Sequence, residues 1–579
     1  MTEPETQGAG TVAVPTVDAP HTAAGRMWFA RRGGSVPAST NAIRVRDVAH
    51  PGFPAVDQWS MTGVHHLAPP ARVGFEEVAQ GYLSEEEVRA EAARCILCKH
   101  PTCVSGCPNN NPIPTWLAFV VEGRILDAAV CDYEKDSLAA CTGRVCNWEE
   151  QCEGWCVLNA EGEGVRIGAV ERYIADYAFR HREEFDRLRA QRAEEERRQG
   201  YSSYTRPELS SYAAAMHAYE DGTSATGYRS MPAANQIAGY ERQDAPPGDR
   251  SVGGCRVGVV GAGPAGLTCA DFLTRRGATV VVFDELSYPG GLLADGIPEF
   301  VLPQRTVEQE VERIASQGVA FRFGQTLGEN LTLDELRGQY DALFVAVGAE
   351  VARRLNLPGE DAVGIWTAQD FLRQAKRALS DEHVQPPRVG RTVVVVGAGN
   401  TSMDAARTSL RLGAERVTII YRRTRAESTS RDVEIRLATE EGVHFEYLVN
   451  PVAFLKDDQG RVRATRVTKM RLGRADAGGR PRPEPIPGSE YTMRCDTVLL
   501  AVGYSVRGLD LGHPEILKPD GTVRITGEGG MTELPGVFVG GDVVRGAYTV
   551  VHAIRDGRLA SDAIARYLLE RPMATKKKA

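Results

Sequence analysis

The pattern of hydrophobic positions along the chain changes near residue 256. Beyond that point, short runs of β-branched residues alternate with longer segments of helical character. The clearest runs are residues 257–260, 280–283, 392–396 and 417–421. Neighbouring parallel strands need crossover helices, so this alternation predicts the α/β class with parallel sheets.

Upstream of that point the pattern predicts helices. Ser84 and Glu87 form a capping box, and the acidic residues between them suit the positive end of a helix dipole, so we expect a helix running to about Arg94. Residues 180–198 interleave charges of both signs, which is typical of a solvated helix with i,i+4 pairs. A helix that docks a partner is the alternative interpretation of this segment.

Two other segments show no sustained period. Residues 1–70 begin with a stretch rich in Gly, Ala, Pro and Thr, which predicts a largely irregular N-terminal extension. Residues 201–254 are rich in Ser, Ala, Gly and Pro with interspersed tyrosines, which favours a linker or a surface belt over a domain.

Composition excludes several classes of function. The 579 residues carry a net charge of −8, so a nucleic-acid-binding protein is not expected. No apolar run approaches the roughly 18 residues of a membrane span, so no membrane insertion is expected. The N-terminus has no basic-then-apolar leader, and we expect a cytoplasmic protein.

A glycine fingerprint follows the first β-branched run. Its members are Gly261, Gly263, Pro264, Ala265 and Gly266. In a dinucleotide-binding fold one glycine makes the tight turn, the next admits a pyrophosphate, and the third lets the helix pack on the strand. Asp284 ends the next strand, where an acid binds ribose hydroxyls. The ordered strand, loop, helix and acid favour a dinucleotide site over a purely structural turn.

A second fingerprint follows residues 393–396. Its loop residues are Gly397, Ala398, Gly399, Asn400 and Thr401. Ser402 stands in place of the third glycine and is small enough for close packing. The next strand ends in Arg422 and Arg423, and guanidinium groups bind a 2′-phosphate where an acid would repel it. This site is therefore expected to prefer NADPH, unless the two arginines are merely solvated.

Two dinucleotide folds, the second inserted in the first, resemble flavin reductases of the disulfide reductase type. Two similar strand-then-glycine segments end at Gly348 and Gly503 and resemble the crossovers between those domains. Gly541 and Asp542 resemble the segment whose aspartate binds the FAD ribityl chain. The helix opened by residues 549–551 would face the flavin with its N-terminus.

The cysteines are concentrated in one region. Nine of the 12 lie between Cys95 and Cys156. Cys95, Cys98, Cys103 and Cys107 have the spacing C-x2-C-x4-C-x3-C and precede a proline, and Cys146, Cys152 and Cys156 have the spacing C-x5-C-x3-C. Uneven groups of thiolates of this kind resemble iron–sulfur ligation. Structural zinc and disulfide bonds are the alternatives that the residues leave open.

The order of cysteine region, FAD fingerprint and NADPH fingerprint resembles the glutamate synthase small-subunit family. That family includes the reductase half of dihydropyrimidine dehydrogenase and the large subunit of NADH-dependent reduced ferredoxin:NADP oxidoreductase. The resemblance covers roughly residues 75–180 and 255–570. The matching stretches are Cys107-Pro108, Asn111-Pro112-Ile113-Pro114, Thr142-Gly143-Arg144-Val145-Cys146, Cys152-Glu153-Gly154, Ile167-Gly168, Glu171-Arg172-Tyr173-Ile174, Gly290-Gly291-Leu292-Leu293, Gly296-Ile297-Pro298 and Tyr421-Arg422-Arg423.

The resemblance implies two [4Fe-4S] clusters. One would be held by Cys95, Cys98, Cys103 and Cys156, and the other by Cys107, Cys146, Cys152 and Glu171. An oxygen ligand would change the potential and lability of the second cluster. A plain acid on a helix surface is the alternative interpretation of Glu171. The remaining cysteines are expected to be structural: Cys131, Cys141, Cys255, Cys269 and Cys495.

The expected cofactor contacts follow the same resemblance. For FAD they are Gly261, Gly263, Pro264, Ala265, Gly266, Asp284, Gly291, Leu292, Leu327, Gly541, Asp542, Thr549, Val550 and Val551. For NADPH they are Gly397, Ala398, Gly399, Asn400, Thr401, Arg422, Arg423 and Gly503. No catalytic side chain is expected, because hydride transfer between nicotinamide and flavin needs no general acid or base.

The chain departs from the family at three places. Asn147 stands where a proline commonly follows a ligand cysteine, and Val301 stands where relatives carry a basic residue near the flavin. One FAD contact is therefore expected to be missing. The segment 181–254 is also longer than in the family, and it could suit the surface to a particular partner.

The expected architecture is a helical iron–sulfur domain followed by two nested Rossmann-like dinucleotide-binding domains. The expected divisions are 1–70 for the N-terminal extension, 71–180 for the helical [4Fe-4S] domain, 181–254 for the charged helix and insert, 255–384 for the first part of the FAD-binding domain, 385–500 for the NADPH-binding domain, 501–572 for the second part of the FAD-binding domain, and 573–579 for a basic tail.

The expected function is an NADPH-dependent electron-input subunit. Electrons would pass from NADPH through FAD and two [4Fe-4S] clusters to an electron-accepting subunit or a ferredoxin, in a hetero-oligomer. One alternative is a ferredoxin:NADP oxidoreductase, including an electron-bifurcating one, that runs toward NADP reduction. The other is a zinc-bearing assembly scaffold with vestigial nucleotide folds, and the intact glycine fingerprints argue against it.

Overall fold

The structure is a computed structural model. It describes residues 65–66, 72, 74–160, 162–199, 251–349, 351–475, 480–506 and 511–570. The predictions for the irregular N-terminal extension, for the insert beyond residue 199 and for the basic tail lie almost wholly outside these residues. No helix in the described part of the chain is long and apolar enough to cross a membrane.

The first domain is helical. Its α-helices are Glu85–Ala92, Thr102–Gly106, Ile113–Val121, Ile125–Tyr133, Ala139–Val145, Ile167–Arg180 and Arg182–Gln199, with a 3₁₀ turn at Val157–Ala160. A short antiparallel pair, His65–His66 with Ala79–Gly81, precedes them. The predicted capping box is present, with the Glu87 amide donating to the Ser84 hydroxyl and the Ser84 amide donating to the Glu87 carboxylate. Trp116, Leu117 and Tyr133 are buried at the centre of this domain.

A five-stranded parallel sheet forms the second unit. Its strand order is Val537–Val539, Ala342–Val345, Arg256–Val260, Thr279–Asp284 and Ala320–Phe323. The helices of this unit are Pro264–Arg275, Leu292–Asp295, Gln304–Ala315, Leu333–Gln339, Asp542–Arg545 and Val550–Glu570. One edge strand comes from near the C-terminus and pairs with a strand almost 200 positions earlier, so the chain leaves this unit and returns to it.

The inserted third unit contains a second five-stranded parallel sheet. Its strand order is His444–Tyr447, Arg416–Tyr421, Thr392–Val396, Thr497–Leu500 and Ile365–Thr367. Its helices are Ala368–Ser380, Asn400–Arg411 and Asp432–Glu440. The expected start of this unit at residue 385 is too late, because Ile365–Thr367 already pairs with Thr497–Leu500. A strand of three residues is too short to give a recognisable hydrophobic run.

An antiparallel sheet extends the third unit and was not predicted. Its strands are Val449–Lys456, Val462–Ala475, Pro481–Pro485 and Tyr491–Arg494. The short antiparallel pair of Val351–Ala352 with Tyr504–Ser505 lies where the chain crosses between the two sheet units. Further 3₁₀ turns lie at Arg425–Glu427, Pro514–Ile516 and Glu528–Gly530.

A buried ionic network joins the helical domain to the second unit. The Arg313 side chain is fully buried and pairs with Asp271 at 3.3 Å and Glu310 at 3.1 Å. Its guanidinium also donates to the Ser137 carbonyl, and the Tyr133 hydroxyl donates to Glu310 at 2.8 Å. Because these charged groups have partners on both sides of the boundary, they hold the two domains in one relative position.

Candidate functional site

A cavity opens at the carboxyl ends of the first sheet. Ligand sites in open parallel sheets lie at this edge. The predicted FAD residues that line it are Gly261, Gly263, Pro264, Ala265, Asp284, Gly291, Leu292, Leu327, Gly541, Asp542, Thr549 and Val550. Gly266 and Val551 do not line the cavity, and Val551 is buried in the core.

The glycine loop has the backbone that the fingerprint requires. Gly261 has a φ of +104°, which side-chain-bearing residues rarely adopt. A Cβ atom on Gly266 would overlap the carbonyl oxygen of Gly261, so this glycine lets Pro264–Arg275 pack against the preceding strand. Gly266 therefore affects the cavity through the packing of this helix, although it does not line the cavity itself.

Two predicted carboxylates face the cavity. Asp284 accepts hydrogen bonds from the amides of Ala262 at 2.6 Å and Leu286 at 2.8 Å, and burial raises the pKa of its carboxyl to about 6. Asp542 accepts from the Tyr548 amide at 3.2 Å, and burial raises its pKa to about 6 as well. Both groups retain acceptor capacity for ligand hydroxyl groups.

The sequence argument missed several residues of this cavity. They flank the predicted ones and include Glu285, Leu286, Ile297, Gln325, Thr326, Val506 and Tyr548. Nearby, His552 interacts with the Thr549 hydroxyl at 2.6 Å, and burial together with Arg545 and Arg555 lowers its pKa to about 4. His552 is thus uncharged at neutral pH. Val301, one of the departures, does not line the cavity.

The second fingerprint lies at the corresponding edge of the second sheet. Gly399 caps the helix Asn400–Arg411, so the first turn of that helix, with Asn400 and Thr401, borders the loop. The Ser428 hydroxyl donates to the Ala398 carbonyl at 2.6 Å, which ties this loop to the segment after the next strand. Ser402 is fully buried, as its expected packing role requires. A helix N-terminus with free amides suits a phosphate.

The two arginines after the neighbouring strand differ. Arg422 is exposed, whereas Arg423 is buried and donates through Nε to the Pro481 carbonyl at 2.9 Å. Arg480 lies beside them and donates to the Tyr421 hydroxyl at 3.2 Å. Gly503 is exposed, and its carbonyl accepts from the Arg353 amide at 2.9 Å at the crossing between units. The antiparallel sheet, through Pro481, thus supports the end of the strand.

The first predicted group of cysteines lines one small cavity in the helical domain. Cys95, Cys98, Cys103 and Cys156 all contribute to its wall, together with the apolar side chains of Leu117, Val165 and Ile167. All four thiols are half-buried. Burial raises the pKa of Cys95 to about 11 and that of Cys103 to about 12, and neighbouring thiols of the group raise them further. Sulfur ligands in an apolar shell suit an iron–sulfur cluster.

Three members of the second predicted group, Cys146, Cys152 and Glu171, are buried, and Cys107 is half-buried. Burial raises the pKa of the Cys107 thiol to about 12 and raises those of Cys146 and Cys152, and Glu171 contributes to each increase. Glu171 is itself buried, and its pKa is well above the usual range because of burial and nearby carboxylates. Glu171 is therefore a buried acid and not an acid on a helix surface.

Buried donors beside the second group suit an inorganic acceptor. Nε1 of Trp148 and Nε of Arg431 are buried and have no hydrogen-bond partner among the described residues. The Arg431 guanidinium also contacts the Cys146 carbonyl at 3.2 Å. Sulfides of an iron–sulfur cluster accept hydrogen bonds from such groups. No three His, Cys, Asp or Glu side chains in the described ranges converge closely enough to ligate a single metal ion.

The remaining cysteines lie outside both groups. Cys131, Cys141 and Cys269 are buried in the hydrophobic cores, Cys255 packs against the first-sheet core, and Cys495 contacts the Thr465 hydroxyl at 3.3 Å. Asn147, the departure after Cys146, donates to Glu150 at 2.7 Å. These residues are accommodated by local packing and hydrogen bonding.

Two family models match the chain. The model for dihydropyrimidine dehydrogenase domain II, 4Fe-4S cluster, matches residues 71–183, and the model for pyridine nucleotide-disulphide oxidoreductase matches residues 255–557. The glutamate synthase [NADPH] small chain of Escherichia coli is 34% identical over 86% of this chain and 94% of its own length. The chain belongs to the glutamate synthase small-chain family. It is an NADPH-dependent oxidoreductase of the FAD and iron–sulfur type.

Other similar proteins extend this picture. The beta subunit of the NADP(+)-dependent formate dehydrogenase of Moorella thermoacetica is 34% identical over 80% of this chain and 60% of its own length. Among solved structures, Mycobacterium tuberculosis FprA in complex with NADPH matches with a TM-score of 0.47 and 22% identity, over 54% of this chain and 84% of FprA. The predictions of family, fold class, enzyme class and cofactor types are confirmed by the family matches.

Proposed function

We propose that this member of the glutamate synthase small-chain family is an electron-input subunit of a hetero-oligomer. It takes electrons from NADPH and delivers them through its helical domain to a partner protein. The observation that carries this proposal is one cysteine-rich domain in which four thiols share a cavity wall and in which Asn109, close to Cys107, bonds to Arg558 of the second unit, here called the FAD-type unit.

The first sheet unit supplies the flavin site. The glycine loop and the N-terminus of Pro264–Arg275 suit a pyrophosphate, and Asp284 suits the ribose hydroxyls. Asp542 lies at the start of a short helix on the other wall, where it suits the ribityl chain. The second unit supplies the NADPH site, with Arg422 and Arg423 for the 2′-phosphate.

The helical domain supplies two [4Fe-4S] sites. Cys95, Cys98, Cys103 and Cys156 hold one cluster, and Cys107, Cys146, Cys152 and Glu171 hold the other. The first set is supported by the cavity wall that its four cysteines share, and the second by the burial of Cys146, Cys152 and Glu171 in the same domain. FAD bound in the first sheet unit would supply the change from two-electron chemistry with NADPH to one-electron chemistry with the clusters.

Contacts between the helical domain and the helix Val550–Glu570 favour one order of electron transfer. Cys107 lies near Arg558 on the helix Val550–Glu570, whose first turn lines the flavin cavity. Arg558 also donates to the Asn109 side chain at 3.0 Å. Cys103 and Cys107 lie at the two ends of one short helical turn, which joins the second group to the first. These contacts support a route from the flavin to the second group and then to the first.

The first group lies near the surface, where a partner can approach. Ile96 and Trp155 flank it, and each is 40% exposed. The E. coli and Moorella relatives are named as a small chain and a beta subunit, which supports a hetero-oligomer for this chain as well. The requirement for reduced thiolates supports a cytoplasmic location.

The test is to purify the full chain anaerobically and measure iron, sulfide and FAD. We expect about eight irons and one FAD per chain, with flavin and cluster absorbance bleached by NADPH and much less by NADH. Zinc in place of iron, or no bleaching by either nucleotide, would contradict the proposal.

A further inference from the structure

A loop of the third unit, here called the nucleotide unit, contacts the helical domain beside the second cysteine group. Arg431 is buried, and its Nη1 donates to the carbonyls of Arg144 at 3.1 Å and Cys146 at 3.2 Å. Those carbonyls lie at the end of the helix Ala139–Val145, which Cys146 caps. A cation there satisfies the carbonyls and the negative end of the helix dipole.

The helical domain returns the same kind of contact. The Glu149 carboxylate accepts from the amides of Asp432 at 2.9 Å and Val433 at 3.1 Å, at the N-terminus of the helix Asp432–Glu440. The Arg431 guanidinium also lies 5.1 Å from the ring centre of Trp148. Each unit thus caps a helix of the other, and the Arg431 side chain is fixed at the boundary between them.

The same loop is bonded to the nucleotide fingerprint. The side-chain oxygen of Asn400 accepts from the Arg431 amide at 3.0 Å and from the Ser430 hydroxyl at 2.9 Å. Asn400 is the first residue of the helix whose N-terminus forms the NADPH loop. One hydrogen-bonded segment therefore connects that loop to the backbone of Cys146.

We propose that Arg431 is a positioning residue that tunes the cluster held by Cys107, Cys146, Cys152 and Glu171 and links it to occupancy of the NADPH site. This rests on the proposed function, because it assumes a cluster in that group. Arg431 belongs to a different unit from the cysteines, and its contact with Cys146 joins residues 285 positions apart in the sequence.

The positive charge of Arg431 determines the direction in which it shifts the reduction potential of the cluster. Reduction adds negative charge to a cluster, and a buried guanidinium beside a ligand stabilises that charge and raises the reduction potential. Glu434 pairs with Arg431 and offsets part of its charge, but Glu434 pairs with Arg407 at 2.5 Å as well. Arg431 Nε is buried and has no hydrogen-bond partner among the described residues.

The link to the nucleotide is reciprocal. If NADP⁺ shifts the reduction equilibrium of this cluster by some factor, reduction of the cluster must shift NADP⁺ affinity by the same factor. The segment of Ser430 and Arg431 supplies the physical connection, since it bonds to both sites at once. Removing the Arg431 side chain should leave the nucleotide loop bonded and break only its connection to the cluster.

The test compares Arg431→Met and Arg431→Lys with the wild-type chain in anaerobic, EPR-monitored redox titrations with and without NADP⁺. Arg425→Met is the matched control, because Arg425 is on the same loop, pairs with Asp432 at 3.0 Å and has a side chain that is 59% exposed. Iron, sulfide and FAD content and bleaching by NADPH are measured on every variant. A wild-type chain that contains no iron, or that NADPH does not bleach, would refute the proposed function. If the wild-type chain contains iron and is bleached, the potentials of the variants decide the role of Arg431.

We expect Arg431→Met to make reduction of one cluster about tenfold less favourable, a shift of about 59 mV to lower potential for one electron. The shift caused by NADP⁺ should disappear in this variant, and Arg431→Lys should restore part of both. If Arg431→Met does not retain its iron, the reduction potentials of Arg431→Lys and the wild-type chain are compared instead, with and without NADP⁺. Wild-type potentials in the Arg431 variants, or an equal shift in Arg425→Met, would overturn the proposal.

Discussion

Asp284 shows how burial adapts a carboxylate to a cofactor. Its carboxyl faces the flavin cavity with a pKa raised to about 6 by burial. Ribose hydroxyl donors favour the ionised form, so the pKa should be lower in the FAD complex than in the free chain. Binding is therefore strongest above pH 6 and weakens as the carboxylate takes up a proton below it.

Asp284→Asn tests this assignment. We expect FAD affinity to fall about 10- to 100-fold at pH 7.5, the loss of a hydrogen bond to a charged acceptor. Wild-type affinity should decline as the pH is lowered through 6, and the variant should lack this decline. Fluorescence titration of FAD into the deflavinated chain measures both, with Glu312→Gln as an exposed control in the same unit. An unchanged affinity and pH profile would contradict the role of Asp284.

Arg422 is the exposed member of the arginine pair and the more accessible to a 2′-phosphate. Arg422→Ala should raise the KM for NADPH about 10- to 100-fold and leave that for NADH nearly unchanged. Steady-state reduction of an artificial acceptor measures both values. Arg416→Ala is the control, since Arg416 is exposed at the opposite end of the same strand. Equal losses for both nucleotides would show that Arg422 does not read the phosphate.

Glu171 is the one oxygen donor in the second group. Glu171→Ala should lower the iron content by about four per chain, one [4Fe-4S] cluster, while Glu171→Cys should retain iron and change the EPR spectrum of one cluster. Glu163→Ala, at an exposed site just upstream of the same helix, should change neither. Full iron content and a wild-type spectrum in Glu171→Ala would remove Glu171 from the ligand set.

At the scale of elements, the helix Gln304–Ala315 carries the charge that fastens two domains. Arg313→Met leaves Asp271 and Glu310 with fewer partners in a dry environment, and we expect a loss of about 3–5 kcal/mol in the free energy of unfolding. Arg305→Met on the same helix should cost less than about 1 kcal/mol, since the Arg305 side chain is 64% exposed. Denaturant unfolding of the loaded chain compares them, and equal stability of the two variants would refute the network's role.

The elements that were predictable from sequence are those with an unbroken period. Residues 257–260 and 392–396 gave strands close to the observed Arg256–Val260 and Thr392–Val396, because fully buried parallel strands read as continuous apolar runs. Ile365–Thr367 is too short to produce such a run. The antiparallel sheet was missed because Val462–Ala475 carries polar residues on a partly exposed face.

Site residues, like the secondary-structure elements, were predictable where the signal is local in sequence. The first glycine loop, Asp284 and Asp542 are recognisable from local sequence, and they line the cavity at the edge of the first sheet. The division of cysteines into two groups came from a family resemblance, because spacing alone does not say which thiols meet in space. Arg431 gave no sequence signal, since its contact with Cys146 depends on how two units pack.

At the scale of the whole molecule, three units are fastened to one another by polar contacts. The helical domain bonds to the FAD-type unit through Arg313 and to the nucleotide unit through Arg431. The Asp295 carboxylate pairs with Arg377 at 3.2 Å, which joins the FAD-type unit to the nucleotide unit. Such an arrangement suits electron transfer, which requires fixed distances between cofactors.

The central claim is that electrons from NADPH reach the clusters only through the flavin. Anaerobic stopped-flow mixing of the full chain with NADPH tests it directly, with flavin and cluster absorbance followed separately. We predict that the flavin bleaches first, that the clusters follow, and that a deflavinated chain with intact clusters shows no cluster reduction until FAD is restored. Cluster reduction by NADPH in the deflavinated chain, or clusters that bleach before the flavin, would contradict the account.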